Sequence, residues 1–471
     1  MSLDTQKLSV KEKIGYSLGD LSANLIFQTL MTFIGFYYTD VYKLPPATAS
    51  AIIFTGGMIG AFFNPIMGVI ADRTQTRWGK FRPWILWTAL PFGAIAIMAF
   101  STPDLEENGK VIYALVTYIL LVVIYSMNNL PYSALSGVLT GNMAERNSLS
   151  SYRFVAVMVA QFIIQALLLP LVMKLGGGDK TLGFKITMTI FAIIGTVFFL
   201  ITFLTTKERI IPKPEQKSSI VEDLGDLVKN KPWVAMLLLT ILVFVTLSLK
   251  GGMYVYYFKN YLSQSAIVGF LQSFGITFTN PEDAVDAAFG IFNAGGIILM
   301  IVGIGFSKSL ADKFGKRDVF SIALFISTLF LMVFYFYAPD SIIMVFLTQM
   351  FHGFFYGITI PLLWAMIADV ADYSEWKNNR RATAIIFSAM IFGLKAGLSI
   401  GGALGAALLA YYHYNPELTQ QSESAIQGIK LCISLYASIP FLIGIASLYL
   451  WYHIDKKTEL QIEKDLKERR P

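Results

Sequence analysis

An all-α integral membrane protein, with twelve transmembrane helices in two six-helix bundles, is the fold class this sequence predicts. Three observations predict it. The 471 residues are 55% hydrophobic and 14% charged, with a mean hydropathy of +0.59, too apolar for a set of ordinary soluble domains. Apolar runs of roughly 20 to 28 residues, each able to cross a hydrocarbon core of about 30 Å, recur along the chain. A short loop with Ala-Asp, a basic residue and Gly-Lys occurs twice, six runs apart.

In order, the runs fall near 14–39, 48–71, 83–101, 111–138, 152–173, 184–205, 233–260, 287–310, 319–338, 341–368, 383–411 and 429–453. The first follows a polar start, MSLDTQKLSVKEK, and is long enough to span a bilayer, so no cleavable signal peptide is expected. The connections alternate in charge. Lys7, Lys11 and Lys13, the loop with Arg73, Arg77, Lys80 and Arg82, the middle loop with Lys207, Arg209, Lys213, Lys217, Lys229 and Lys231, and the tail are all basic. STPDLEENGK, KLGGGDK, YAPDS and HYNPELTQQSES are acidic or neutral on balance. The positive-inside rule therefore places both termini in the cytoplasm, in agreement with an even number of spans.

The expected organisation is a first bundle at 1–205, a cytoplasmic middle loop at 206–232, a second bundle at 233–453 and a cytoplasmic tail at 454–471. Within the middle loop Ile220, Val221, Leu224, Leu227 and Val228 recur at helical spacing, which predicts a short amphipathic linker helix at the membrane surface. The tail, DKKTELQIEKDLKERR, reads as a charged, solvated helix.

A net charge of +6 and a pI near 9.0 do not indicate nucleic-acid binding, because the basic residues sit in short loops between apolar runs. Cys432 is the single cysteine, so there is no disulfide framework and no thiolate metal cluster. The three histidines, His352, His413 and His453, are far apart, and no zinc, phosphate-loop or paired-cysteine motif occurs. An enzyme, an ATP-driven pump and a filter-type channel are accordingly not expected.

The repeated loop carries the next step. GVIADRTQTRWGKFRP follows the second run and SKSLADKFGKRDVF the eighth. Asp72 and Asp312 can cap or pair with basic groups such as Arg73 and Lys80 at a helix end, while Gly79 and Gly315 permit a tight turn. Such a loop at matching places in two six-span halves resembles the signature of the major facilitator superfamily. GYSLGD (15–20), YYTDV (37–41), NPIMG (64–68), TRWGKFRPWIL (76–86), NNLPYSAL (128–135), RNSLSSYRF (146–154), GGGD (176–179), TTKER (205–209) and ADVADYSEW (368–376) narrow it. Together, in this order and spacing, they resemble the glycoside–pentoside–hexuronide:cation symporter family, which includes the melibiose permease. The resemblance implies a major facilitator fold in a bacterial cytoplasmic (inner) membrane, a sugar bound between two bundles, and alternating access driven by a co-transported cation.

Intramembrane polar residues cost free energy and persist mainly where they face a cavity or a partner. Asp20 and Asn24 share one face of the first span. Asn64 precedes Pro65 in the second, and Asn128 and Asn129 precede Pro131 in the fourth. Arg153 opens the fifth span, Lys250 precedes Gly251 and Gly252 in the seventh, and Lys395 lies deep in the eleventh. Asp369 and Asp372, at the inner mouth of the tenth, read as gate or helix-cap charges. Trp364, near Pro361, is a candidate sugar-stacking ring, whereas Gly401, Gly402 and Gly405 are expected to allow close helix packing.

The chain departs from the family at its cation site. Where well-known members carry two aspartates in the second span, this chain has Gly60 and Asn64, and the sugar-contacting aspartates of the first and fourth spans correspond to Asn24 and Asn129. A family tryptophan corresponds to Ser133, whereas Tyr125, Arg153 and Lys395 match. Without those carboxylates a melibiose-type Na⁺ site is in doubt. Arg153, Lys250 and Lys395 then stand chiefly against Asp20, an imbalance that an anionic sugar would correct. The resulting expectation is a monomeric H⁺-coupled rather than Na⁺-coupled symporter of a small sugar, with Asp20 as titratable group and no bound cofactor or metal; an uncoupled uniporter of the same fold is the alternative.

Overall fold

A computed structural model describes residues 7–140, 143–209, 229–378 and 383–469. Its described regular elements are all helices, apart from one isolated bridge between Thr76 and Gly79. The chain divides into two compact units, Met1–Glu215 and Gln216–Pro471.

The first unit holds α1 (Val10–Phe36), α2 (Pro46–Arg73), α3 (Arg82–Ala99), α4 (Glu107–Leu139), α5 (Met143–Phe162) continued through a π turn into α6 (Leu168–Gly176), and α7 (Lys180–Thr205). The second holds α8 (Lys231–Asn260), the short α9 (Gln264–Ser273), α10 (Pro281–Phe314), α11 (Lys316–Val333), α12 (Ile342–Asn378), α13 (Thr383–Tyr411), α14 (Glu423–Leu431) joined by a π turn to α15 (Ala437–Trp451), and the tail helix α16 (Lys456–Arg469). Counting α5–α6 and α14–α15 as single stretches and leaving aside the short α9 and the tail helix α16, each unit has six long helices among the described residues. Eleven of the described helical stretches are long and apolar enough to cross a membrane. The remaining long helix, α1, has the length but carries Glu12, Lys13, Asp20 and Asn24.

Local chemistry sets the ends. The Ser9 hydroxyl accepts the Glu12 amide at the start of α1, and the Asp179 carboxylate accepts the Thr181 and Leu182 amides at the start of α7, each satisfying helix donors that have no intrahelical partner. Gly177 closes α6 at φ +59°. The glycines of the repeated loop meet their expected role, since Gly79 has φ +112° and Gly315 φ +89°, backbone that disfavours any side chain.

Packing within the second unit runs along glycine seams. A Cβ on Gly397 or Gly401 would strike the carbonyl oxygen of Ile241 or Val245, so α13 lies backbone to backbone on α8. Gly303 and Gly357 meet the Phe354 and Met300 carbonyls in the same way, which draws α10 against α12. Close approach of this kind supplies van der Waals contact where an apolar solvent gives no hydrophobic drive. Cys432, in the π turn before α15, is 1% exposed. Leu90, Phe62, Ile193 and Leu450 are among the large apolar side chains left exposed, as a lipid-facing surface requires.

Several expectations change. The tail helix is solvated on one side only: Lys457, Gln461, Lys464 and Glu468 on α16 are exposed, whereas Ile462 and Leu466 are buried at 4% and 3%. Lys456 Nζ donates to the carbonyls of Asp312 and Lys313, and Trp376 Nε1 donates to Asp465. Asp369 and Asp372 do not cap a helix, since α12 continues to Asn378 beyond them. Arg153 lies near the start of its apolar span, Ser148–Gly176, although the helix itself begins ten residues earlier at Met143. The linker helix expected from Ile220, Val221, Leu224, Leu227 and Val228 lies outside the described residues, as does the side chain of Asp72.

In the first unit the loop motif has a partner overlooked in TTKER. The Glu208 carboxylate accepts the amides of Lys80, Phe81 and Arg82, at the start of α3, over distances of 2.7 to 2.9 Å. A carboxylate there meets both free amides and the positive end of a helix. Replacing Glu208 with alanine should lower the detergent-solubilised protein's melting temperature, consistent with about 1–2 kcal/mol for a lost cap; an unchanged melt would show that the contact contributes nothing.

Candidate functional site

In the first unit the site forms where α1, α4 and α5 meet. Tyr16 and Tyr132 stack with centroids 4.5 Å apart, and each hydroxyl donates to the other's backbone carbonyl, Tyr16 at 2.8 Å and Tyr132 at 2.7 Å. This reciprocal clasp fixes α1 to α4. Against it lies the guanidinium of Arg153, 5.6 Å and 5.3 Å from the two ring centroids, within cation–π range. Its Nε donates to Asp20 Oδ2 at 2.6 Å. The Asp20 side chain is 6% exposed and that of Arg153 26%, so the carboxylate is buried and the arginine side chain only partly so.

Other candidates fall around this pair. Asn24, one turn on, is buried and donates its amide to the Asp20 carbonyl. Tyr125 is buried and stacks on Phe27 at 5.0 Å. Asn64 is buried in α2, which runs unbroken past it, and Asn129 is half-buried. Asn128, its neighbour, donates to Thr88 on α3. Nearer the N-terminus Lys13 pairs with Glu145 at 2.9 Å, and Arg209 forks onto Glu12 at 2.7 and 2.9 Å. The Lys13 bond and the Leu8 amide hold the Glu145 carboxyl below its ordinary range.

In the second unit Lys250 is buried on α8 with Nζ 2.8 Å from His352 Nε2 on α12. The sequence offered Lys250 as a sugar contact, whereas the structure gives its ammonium a ring nitrogen. Lys395 is half-buried in the middle of α13, and Trp364 on α12 is 38% exposed. Lys316, at the start of α11, bridges Asp369 at 2.7 Å and Glu459 of the tail helix at 2.8 Å. Asp369 therefore belongs to a clamp between three elements. Asp372 is half-buried nearby, and Asp312 is exposed, engaged through its carbonyl. Asp286, 1% exposed, pairs with Lys259 at 2.9 Å, so Asp20 is not the only buried acid set against the basic groups.

Two units of six long helices, eleven of the twelve apolar enough to cross a membrane, define the class as a major facilitator. Solved structures share the fold: a D-xylose-proton symporter aligns at a TM-score of 0.63 over 95% of this chain and 98% of its own, at 14% identity. The family described as MFS/sugar transport protein matches residues 15–279 and 283–456. Among curated proteins of Escherichia coli K12, the inner membrane symporter YicJ is 34% identical over 96% of this chain and 94% of its own length. The putative glycoside/cation symporter YagG is 32% identical over 97% and 94%. The chain belongs to the glycoside–pentoside–hexuronide:cation symporter family of the major facilitator superfamily. It is a multi-pass membrane transporter and not an enzyme.

Proposed function

We propose that this protein is a secondary active symporter carrying a glycoside, pentoside or hexuronide with H⁺ rather than Na⁺, as a monomer with both termini in the cytoplasm. The observation that carries the reading is the Asp20–Arg153 pair, with its acidic side chain buried and its basic one partly exposed. A hexuronide carboxylate offers Arg153 a two-oxygen acceptor of the same kind as Asp20. When the guanidinium turns to the sugar, Asp20 is left without its cation, and a buried carboxylate in that condition takes a proton. Sugar and proton then bind together. On sugar release Arg153 returns to Asp20 and expels the proton. Gly60 and Asn64 supply no second-span carboxylate for Na⁺, and similarity to YagG, a putative glycoside/cation symporter, supports symport over uniport.

The test is uptake of radiolabelled neutral glycosides, glucuronides and galacturonides into proteoliposomes under imposed gradients. Accumulation above equilibrium with an inward H⁺ gradient, greatest for the uronides, is expected. Accumulation driven only by Na⁺ would overturn the proton reading, and equilibration without accumulation under either gradient would make the protein a uniporter.

A further inference from the structure

The buried pair in the second unit has no place in the Asp20–Arg153 cycle. We propose that Lys250 and His352 together form a proton-binding site, holding one proton between two nitrogens, in place of the sugar contact expected of Lys250. The proposal deepens the symport reading, on which its meaning in transport rests; the site itself is argued from geometry alone.

The argument starts at the far side of the imidazole. Nδ1 of His352 lies 2.9 Å from the backbone carbonyl oxygen of Ser327 on α11. A carbonyl only accepts, so Nδ1 carries a hydrogen. The Ser327 hydroxyl donates to the His352 carbonyl at 3.2 Å, and its oxygen, 2.8 Å from Nδ1, reinforces the same tautomer. Nε2 is then the variable atom. At 2.8 Å from Lys250 Nζ it either accepts from the ammonium, with a neutral ring, or donates to the neutral amine as imidazolium. Both forms hold one positive charge. A second proton would set two full charges against each other at that distance in a water-poor bundle. Loss of the proton leaves the amine donating to Nε2, so the bond survives in every accessible state and titration need not break the packing.

The surroundings leave the charge unshared. Among the described residues no carboxylate contacts either nitrogen. On α8 the ring of Tyr254 lies 5.4 Å from Lys250 Nζ and its hydroxyl donates to Gln349 of α12. Also on α12, Tyr356 stacks on His352 at 6.2 Å. Lys395 of α13 falls between Gly393 and Gly397, which meet α8 at Leu237 and Ile241, more than two turns before Lys250. Asp286 of α10 is engaged by Lys259, two and a half turns beyond. The π turn before α15 brings buried Cys432 and Tyr436, whose hydroxyl bonds Tyr412. Beside the pair, a Cβ on Gly251 or Gly252 would meet nothing within 4 Å, so the helix surface next to Lys250 is open enough for a proton to arrive.

The test is ¹⁵N NMR of histidine-labelled full-length protein, in which His413 and His453 are exposed and the third signal is assigned by its loss in His352→Gln. The expected result is a neutral Nδ1–H ring whose Nε2 signal moves through one transition between about pH 5 and 9. In Lys250→Met that transition shifts by more than about one pH unit. Should Lys250→Met fail to fold, Lys250→Arg keeps the charge but cannot give up its proton, and there the shared transition vanishes. A His352 signal flat across the range, or one titrating identically in the folded Lys250 variant, overturns the proposal. Failure of H⁺-driven uptake with the titration intact would instead remove the symport reading and leave the site standing.

Discussion

Arg153→Ala is expected to abolish gradient-driven accumulation, a fall of at least about 100-fold, and to lower the melting temperature of the purified protein. The transport loss follows because, among the described residues, Arg153 is the cation paired with Asp20, and the proposed sugar contact goes with it. The stability loss follows because the variant strands a carboxylate that is 6% exposed. Removing one partner of a buried pair costs roughly 3 to 5 kcal/mol, and the 26% exposure of Arg153 argues for the lower end. Pairing the change with Asp20→Asn separates the two effects. The double variant Asp20→Asn/Arg153→Ala removes both charges, so its melting temperature should recover most of the loss while accumulation stays absent. Recovery of accumulation in the double variant would rule out the proposed exchange of partners.

Gly397→Leu should prevent the second unit from assembling, with loss of the monodisperse species on size exclusion. A Cβ at that position already collides with the Ile241 carbonyl and crowds the Phe244 side chain, and a backbone oxygen cannot rotate away. The helices must separate along the whole seam, which exceeds the roughly 1–3 kcal/mol of ordinary overpacking. Gly405→Ala is the contrasting case. Its Cβ would lie 3.4 Å from the Leu249 side chain, an ordinary contact, so that variant should purify and melt like the parent. Equal behaviour of the two would show that the seam is not what holds α13 to α8.

What the sequence disclosed follows from the range of each interaction. Spans depend on composition over some twenty neighbours, and the turns at Gly79 and Gly315 on one residue's backbone freedom, so both were legible. Asp20 and Arg153 were each visible as costly intramembrane charges, yet their pairing spans 133 positions and exists only once α1 meets α5. A lone histidine in an apolar run, such as His352, resembles core, and its meaning comes from Lys250, 102 positions away. Asp286 escaped notice at the edge of its apolar run. The tail misled for a different reason: Ile462 and Leu466 are two apolar positions among many charges, and only the buried cluster with Val319 of α11 and Met366, Ile367 and Val370 of α12 gives them something to cover.

Cys432, sealed at 1% exposure in its π turn, gives this transporter a chemically silent background. Thiol-directed spin labels and fluorophores act on accessible thiolates, so the parent chain should take up little label without any native residue being removed. A cysteine placed on an exposed helix end in each unit would then be the sole labelled pair. Dipolar spectroscopy on such pairs, with and without sugar and across pH, would turn alternating access into a measured distribution of distances.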